Sequence, residues 1–166
     1  MQHVLVTGAG GGLGASLCDQ LAASGDTVFA TDRDPDALRA LKGRPGVVPL
    51  RMDVTAARDV ARARKKIGAS TDGLDGIVCC AGIFRAGALV EADEAQMKLT
   101  LDINVMGTYR TVREFFPLLA KRGVRLALSG HIHLIDRVDY NGVSYICDGA
   151  VCAGWWRGPN YECHEG

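Results

Sequence analysis

No excess of either charge sign marks this chain: 19 lysines and arginines balance 19 aspartates and glutamates. Nothing global therefore attracts it to nucleic acid or to an anionic membrane surface. No apolar run approaches the length of a membrane span. Cysteine is sparse, with six scattered through 166 residues. Two of them, Cys79 and Cys80, fall inside an expected buried strand. That pattern excludes a disulfide framework and points to a reducing, cytoplasmic setting. Strand character begins at His3, which leaves no room for a signal peptide. Internal repeats and low-complexity tracts are absent. What remains is a chain that is 48% apolar and carries 21 glycines, enough for one packed domain with a small appendage.

The first 122 residues alternate strand and helix. Val4 to Thr7 is a continuous run of the kind buried on both faces of a sheet. Leu13, Leu17 and Leu21 fall four apart and predict one helical stripe, closed by Gly25. Thr27 to Thr31 and Val47 to Met52 read as the second and third strands, with a helix opening at Asp34-Pro35 between them. The next helix, Thr55 to Gly68, should bury Val60, Ala63 and Ile67. Its opposite face carries Arg58, Arg62, Lys65 and Lys66, a row that reads as a solvated face in preference to a phosphate patch. Gly76 to Cys80 is the fourth strand, and a long helical region follows from about Asp93 to Lys121, with Pro117 as a candidate kink. This rhythm predicts an α/β fold of Rossmann type, an open parallel sheet in the order 3-2-1-4.

After Arg122 the alternation stops, and the expected boundary lies at Gly123. Val124 to Leu128 is a candidate fifth strand beside the fourth. His131 to Val138 and Val143 to Cys147 flank Tyr140-Asn141-Gly142, a strong hairpin signal. Gly149 to Gly166 reads as loop.

The chemistry concentrates at LVTGAGGGLG, residues 5 to 14, where a strand meets a glycine-rich turn that opens a helix. Gly8, Gly12 and Gly14 answer three needs: a tight turn, close approach of backbone to phosphate, and close packing of helix on strand. Free amides at the helix start then receive a pyrophosphate. Asp32, at the end of the second strand, accepts from ribose hydroxyls and repels a 2′-phosphate, favouring NAD over NADP. Arg33 beside it tempers that preference, since a guanidinium pairs with phosphate. The competing role for Asp32 is a cap on the helix that begins near Pro35.

These residues resemble the amino-terminal half of a short-chain dehydrogenase/reductase. TGAGGGLG, from Thr7 through Leu13 to Gly14, matches the TGxxxGxG turn of that family. Asp53-Val54 matches its acid-plus-aliphatic pair at adenine. Cys80-Ala81-Gly82 stands where the family has Asn-Ala-Gly, with Ala81 and Gly82 retained. Asn104, in DINVMG, matches the helix asparagine whose carbonyl helps hold a water of the proton relay. The resemblance covers about the first three-quarters of the chain and implies dinucleotide binding. It does not carry turnover with it, because the tyrosine acid/base and the lysine four residues later are missing. Tyr109, Tyr140, Tyr145 and Tyr161 are followed at that spacing by Arg113, Ser144, Gly149 and Glu165, and Lys121 is the last lysine.

From about Val124 the chain resembles the end of a calcineurin-like metallophosphoesterase, through Ser129-Gly130-His131-Ile132-His133. In that family GHxH gives imidazoles to a two-metal centre, so His131 and His133 are the candidate ligands for a divalent metal. The earlier ligand motifs of that family have no counterpart here, and the alternative is a strand whose polar face carries both histidines. Cys147, Cys152, Cys163 and His164 lack paired zinc spacing. The expected function is therefore an NAD-binding domain of oxidoreductase ancestry, catalytically incomplete, in a composite chain. The alternatives are a metal-dependent phosphoesterase fragment, a non-catalytic interaction module whose exposed sheet edge completes itself against a partner or a second copy, or a chimeric or artefactual fusion.

Overall fold

A computed structural model describes residues 1–84, 89–124, 126–129, 136–140 and 142–147. The chain divides into two compact units, Met1–Arg122 and Gly123–Gly166.

In the first unit, strands β1 (His3–Thr7), β2 (Thr27–Asp32), β3 (Val47–Arg51) and β4 (Gly76–Cys79) form a parallel sheet in the order β3-β2-β1-β4. Helices α1 (Gly12–Ala23), α2 (Pro35–Leu41) and α3 (Ala57–Ser70) connect them in turn. After β4 come a short 3₁₀ turn (Leu89–Glu91), α4 (Glu94–Leu101), a π-helical turn (Asp102–Gly107) and α5 (Thr108–Lys121).

Period-two alternation along the strands separates the interior into two cores. Leu5 and Phe29 point to one side, among Val60, Ala63 and Ile67 of α3 and Phe115 and Leu118 of α5. Val4, Val6, Val28 and Ala30 point to the other, among Cys18 of α1 and Leu38 and Leu41 of α2. This two-sided cover explains why β1 is a near-continuous apolar run. The sheet order reverses between β1 and β4, and open α/β sheets take ligands beyond their strand ends at such a switch point.

Most elements fall where the patterning places them, and the departures have local causes. Arg58, Arg62, Lys65 and Lys66 are exposed, while Val60, Ala63 and Ile67 are buried. Leu17 and Leu21 pack on the second core, but Leu13 is 76% exposed. It sits in the first turn of a helix that begins at Gly12. The helix runs through Pro117, and the irregularity expected there falls instead on the π turn at 102–107. Among the described residues no helix is long and apolar enough to cross a membrane.

The candidate fifth strand does not extend the parallel sheet. β5 (Leu126–Ser129) pairs in parallel with β7 (Val143–Cys147), which pairs antiparallel with β6 (Asp136–Tyr140), giving the order β5-β7-β6. Tyr140 and Val143 are ladder partners, so the hairpin closes over two residues, with Gly142 at φ +78°. That tight hairpin leaves one edge of β7 open, and β5 fills it through Leu126↔Ser144 to Ser129↔Cys147. The stretch expected to start β6 at His131, and the loop from Gly149 onward, lie outside the described residues.

Phe115 is fully buried in the α3–α5 core. Its replacement by alanine is expected to cost about 3–5 kcal/mol, read as a lowered urea midpoint at unchanged slope.

Candidate functional site

At the end of β1 the backbone turns sharply into α1. Gly8 has φ +63°, and a Cβ there would lie 2.7 Å from the Cys80 carbonyl oxygen and 2.7 Å from the Ala81 nitrogen. Both contacts are backbone, so neither can swing aside, and glycine is required. Gly14 is equally constrained, its absent Cβ falling 2.2 Å from the Gly8 oxygen. Gly12 differs. Nothing lies within 4 Å of its Cβ position, so protein packing does not demand glycine there. The helix has no side-chain cap, and its first internal turn of bonds opens with Ala15 donating to Gly11 at 2.8 Å. The amides of Gly12, Leu13 and Gly14 are left without an intrahelical acceptor, at the positive end of the helix dipole.

Asp32 ends β2 facing this turn. Its Oδ2 accepts from the Gly10 amide at 2.9 Å and its Oδ1 from the Asp34 amide at 2.9 Å. The cap of α2 is Asp34, whose Oδ1 accepts from the Asp36 amide at 2.8 Å, so the capping role weighed for Asp32 falls to its neighbour. A carboxylate offers about four lone-pair sites. Asp32 therefore keeps acceptor capacity toward the cleft. Arg33 is exposed and also lines it.

Asp53 follows β3. Its Oδ1 accepts from both the Thr55 amide at 2.9 Å and the Thr55 hydroxyl at 2.7 Å, a local turn that leaves Oδ2 unengaged among the described residues. Burial pushes this carboxyl upward. The two Thr55 bonds and the charges of Arg33 and Arg51 more than offset that, holding it below the usual carboxylate range. Val54 is buried beside it.

Beyond β4, the Ala81 amide donates to the Thr7 hydroxyl at 3.1 Å, tying the ends of β4 and β1 together. Asn104, in the π turn, makes two reciprocal bonds to the main chain of Ile83. Its Oδ1 accepts from the Ile83 amide at 2.9 Å, and its Nδ2 donates to the Ile83 carbonyl at 2.9 Å. π-Helical turns are frequent at functional sites. The Asn104 carbonyl accepts from the Thr108 hydroxyl at 3.0 Å. Gly82 packs near the Asn104 side chain.

These strand ends enclose a cavity of about 210 Å³ lined by Gly8, Asp32, Arg33, Asp53, Val54, Ala81 and Gly82 from the expected set. Gly11, Met52, Cys80, Ile83 and Ile103 complete the wall. Met52, Ile83 and Ile103 read as plain core positions. Only their adjacency to Asp53, Gly82 and Asn104 marked them. Cys18, Cys79 and Cys80 are free thiols; burial pushes Cys18 and Cys79 up to about 11 and raises Cys80 as well, so all three are protonated near neutrality. Tyr109 is half-exposed on α5, with the Arg113 guanidinium 3.4 Å from its hydroxyl, and it is not among the residues of this cavity. His131 and His133 lie outside the described residues. Among the described residues no three His, Cys, Asp or Glu side chains gather as metal ligands.

The lowered Asp53 carboxyl has a defined signature. Its contribution to stability is complete above the unfolded value of about 3.9 and is lost as pH falls through the lower folded value. Urea midpoints of the wild type and of Asp53→Asn should differ at neutral pH and converge in acid.

The short chain dehydrogenase family model matches residues 2–126. Human 17-beta-hydroxysteroid dehydrogenase type 1 is 34% identical over 153 residues, covering 84% of this chain and 46% of the human protein. Farnesol dehydrogenase of Aedes aegypti is 32% identical over 141 residues, covering 81% of this chain and 56% of the mosquito protein. A short-chain type dehydrogenase/reductase from Mycobacterium ulcerans superposes with a TM-score of 0.69 at 27% identity, covering 78% of this chain and 50% of that one. The chain spans about half the length of the curated relatives it matches. With the glycine turn, the 3-2-1-4 sheet and the cleft at its switch point, these similarities make the chain a member of the short chain dehydrogenase family.

Proposed function

We propose that the first unit binds NAD(H) along the cleft and does not by itself complete hydride transfer. The observation that carries this reading is the pairing of an uncapped helix start with a carboxylate across the turn. Gly12 leaves open space above free amides, and Asp32 is fixed with spare acceptor capacity at the far side of the same turn. A diphosphate answers the amides and the helix dipole. A ribose diol answers Asp32, while a 2′-phosphate is repelled by it, which favours NAD over NADP. Asp53 Oδ2 is free to accept from an adenine amino group, with Val54, Met52 and Ile103 supplying apolar wall. The exposed Leu13 gains cover from a bound dinucleotide.

When bound, a nicotinamide dinucleotide supplies hydride acceptance and donation. The chain's own residues supply binding and orientation. Asn104 holds the Ile83 segment against the cleft. No tyrosine has a lysine four residues on, so the proton-transfer pair of the family is missing and the phenol of Tyr109 does not replace it.

The test is a fluorescence titration with NADH. Saturable binding in the micromolar range is expected, weakened at least about tenfold by Gly12→Val, which fills the open space, and by Asp32→Ala, which removes a charged acceptor. A flat titration with folded protein overturns the reading.

One structural feature favours a second role. Among the described residues β4 has β1 on one side and no strand on the other, and its four residues are only half-buried. An unpaired edge of a parallel sheet is a template for another strand. We infer self-association through that edge. Light scattering should report a dimer at micromolar concentration, and a strictly monomeric protein excludes it.

A further inference from the structure

Gly10 is not one of the three glycines that the turn geometry demands, and its φ does not lie in the left-handed region. Glycine is nonetheless forced there by its neighbour on α2. A Cβ at position 10 would lie 2.3 Å from the Ala37 Cβ, a separation no pair of carbon atoms sustains, and 3.0 Å from Asp32 Oδ2. Ala37 is the third residue of α2, and α2 is set by the Asp34 cap and by Pro35 in its first turn. The main-chain amide of Gly10 thus reaches Asp32 Oδ2 only because α2 and the glycine turn touch through the smallest available side chains. From the other side the Asp34 amide, at the lead-in to the same helix, holds Oδ1.

We infer that Gly10 and Ala37 are a positioning pair that aims the Asp32 carboxylate and thereby sets the discrimination between dinucleotides with and without a 2′-phosphate. The inference rests on the cleft being a dinucleotide site, and it adds to that reading the residues that hold its selectivity. A carboxylate bonded at both oxygens to backbone amides cannot swing away from an incoming phosphate, so its negative charge stays beside the ribose. Release one of those bonds and the side chain regains rotamer freedom. The ribose hydroxyls then lose a fixed acceptor, while the repulsion of a 2′-phosphate relaxes and Arg33 is left to pair with it. NADH and NADPH therefore respond in different proportion.

The experiment compares NADH and NADPH affinities of the full chain by fluorescence, with thermal melting to verify folding. Gly10→Ala is expected to weaken NADH about tenfold and NADPH no more than about twofold, narrowing the preference at least about fivefold, the scale of one hydrogen bond to a charged group. Gly10→Ala combined with Ala37→Gly removes the carbon–carbon clash and should return the preference to within about threefold of the wild type. Ala37→Val, which crowds Gly10 from the helix side, should reproduce the narrowing and serves if Gly10→Ala fails to fold. A parallel loss of both ligands in every variant, or an unchanged ratio, overturns the positioning role while leaving the cleft intact. Absence of NADH and NADPH binding by the folded wild type removes the cleft reading and this inference together.

Discussion

A single steric constraint organises the carboxyl edge of the sheet: at Gly8 two backbones touch with no space for a side chain between them. The left-handed turn there lays the start of α1 across the ends of β1 and β4, and Gly14 closes the same contact from the helix side. The Thr7 hydroxyl then fastens the Ala81 amide, so the switch point of the sheet is welded by main-chain contacts and one hydroxyl. Because the floor is backbone, its shape depends little on rotamers. Four strand ends and a cavity of about 210 Å³ are arranged around it.

Much of this was legible in the residue order, for physical reasons. A strand buried on both faces must be apolar throughout, so Val4 to Thr7 declared itself, as did the 3-2-1-4 alternation. The glycines at 8 and 14 are needed for contacts that any helix-on-strand turn of this type makes. Less legible were positions whose role depends on a neighbour distant in sequence. Met52, Ile83 and Ile103 look like ordinary core residues until the strand ends converge. Gly10 reads as a spare glycine until α2 is packed against it. The misplaced strand at 126–129 has the same origin: a four-residue apolar run pairs with whichever edge is open, and the β6–β7 hairpin offered one. Leu13 misled by periodicity, because it keeps the helical spacing of Leu17 and Leu21 yet is exposed.

Membership of the family and completeness of its chemistry are separate matters in this chain. The stretch that matches the family model is present in detail, down to the Asp53–Thr55 turn and the reciprocal Asn104–Ile83 bonds. The chain spans 46% of the human relative and 56% of the mosquito one. The first unit keeps its own two-sided core.

That division of the interior by the sheet governs how changes combine. Residues beneath α1 and α2 cluster apart from those beneath α3 and α5, so paired alterations across the sheet are expected to sum more nearly than those within one compartment. Helix α2 packs its buried Leu38 and Leu41 into the smaller compartment. The larger one also supplies Met52, Val54 and Ile103 to the cavity wall, so an alteration in the Phe115 layer reaches the cleft through those three side chains.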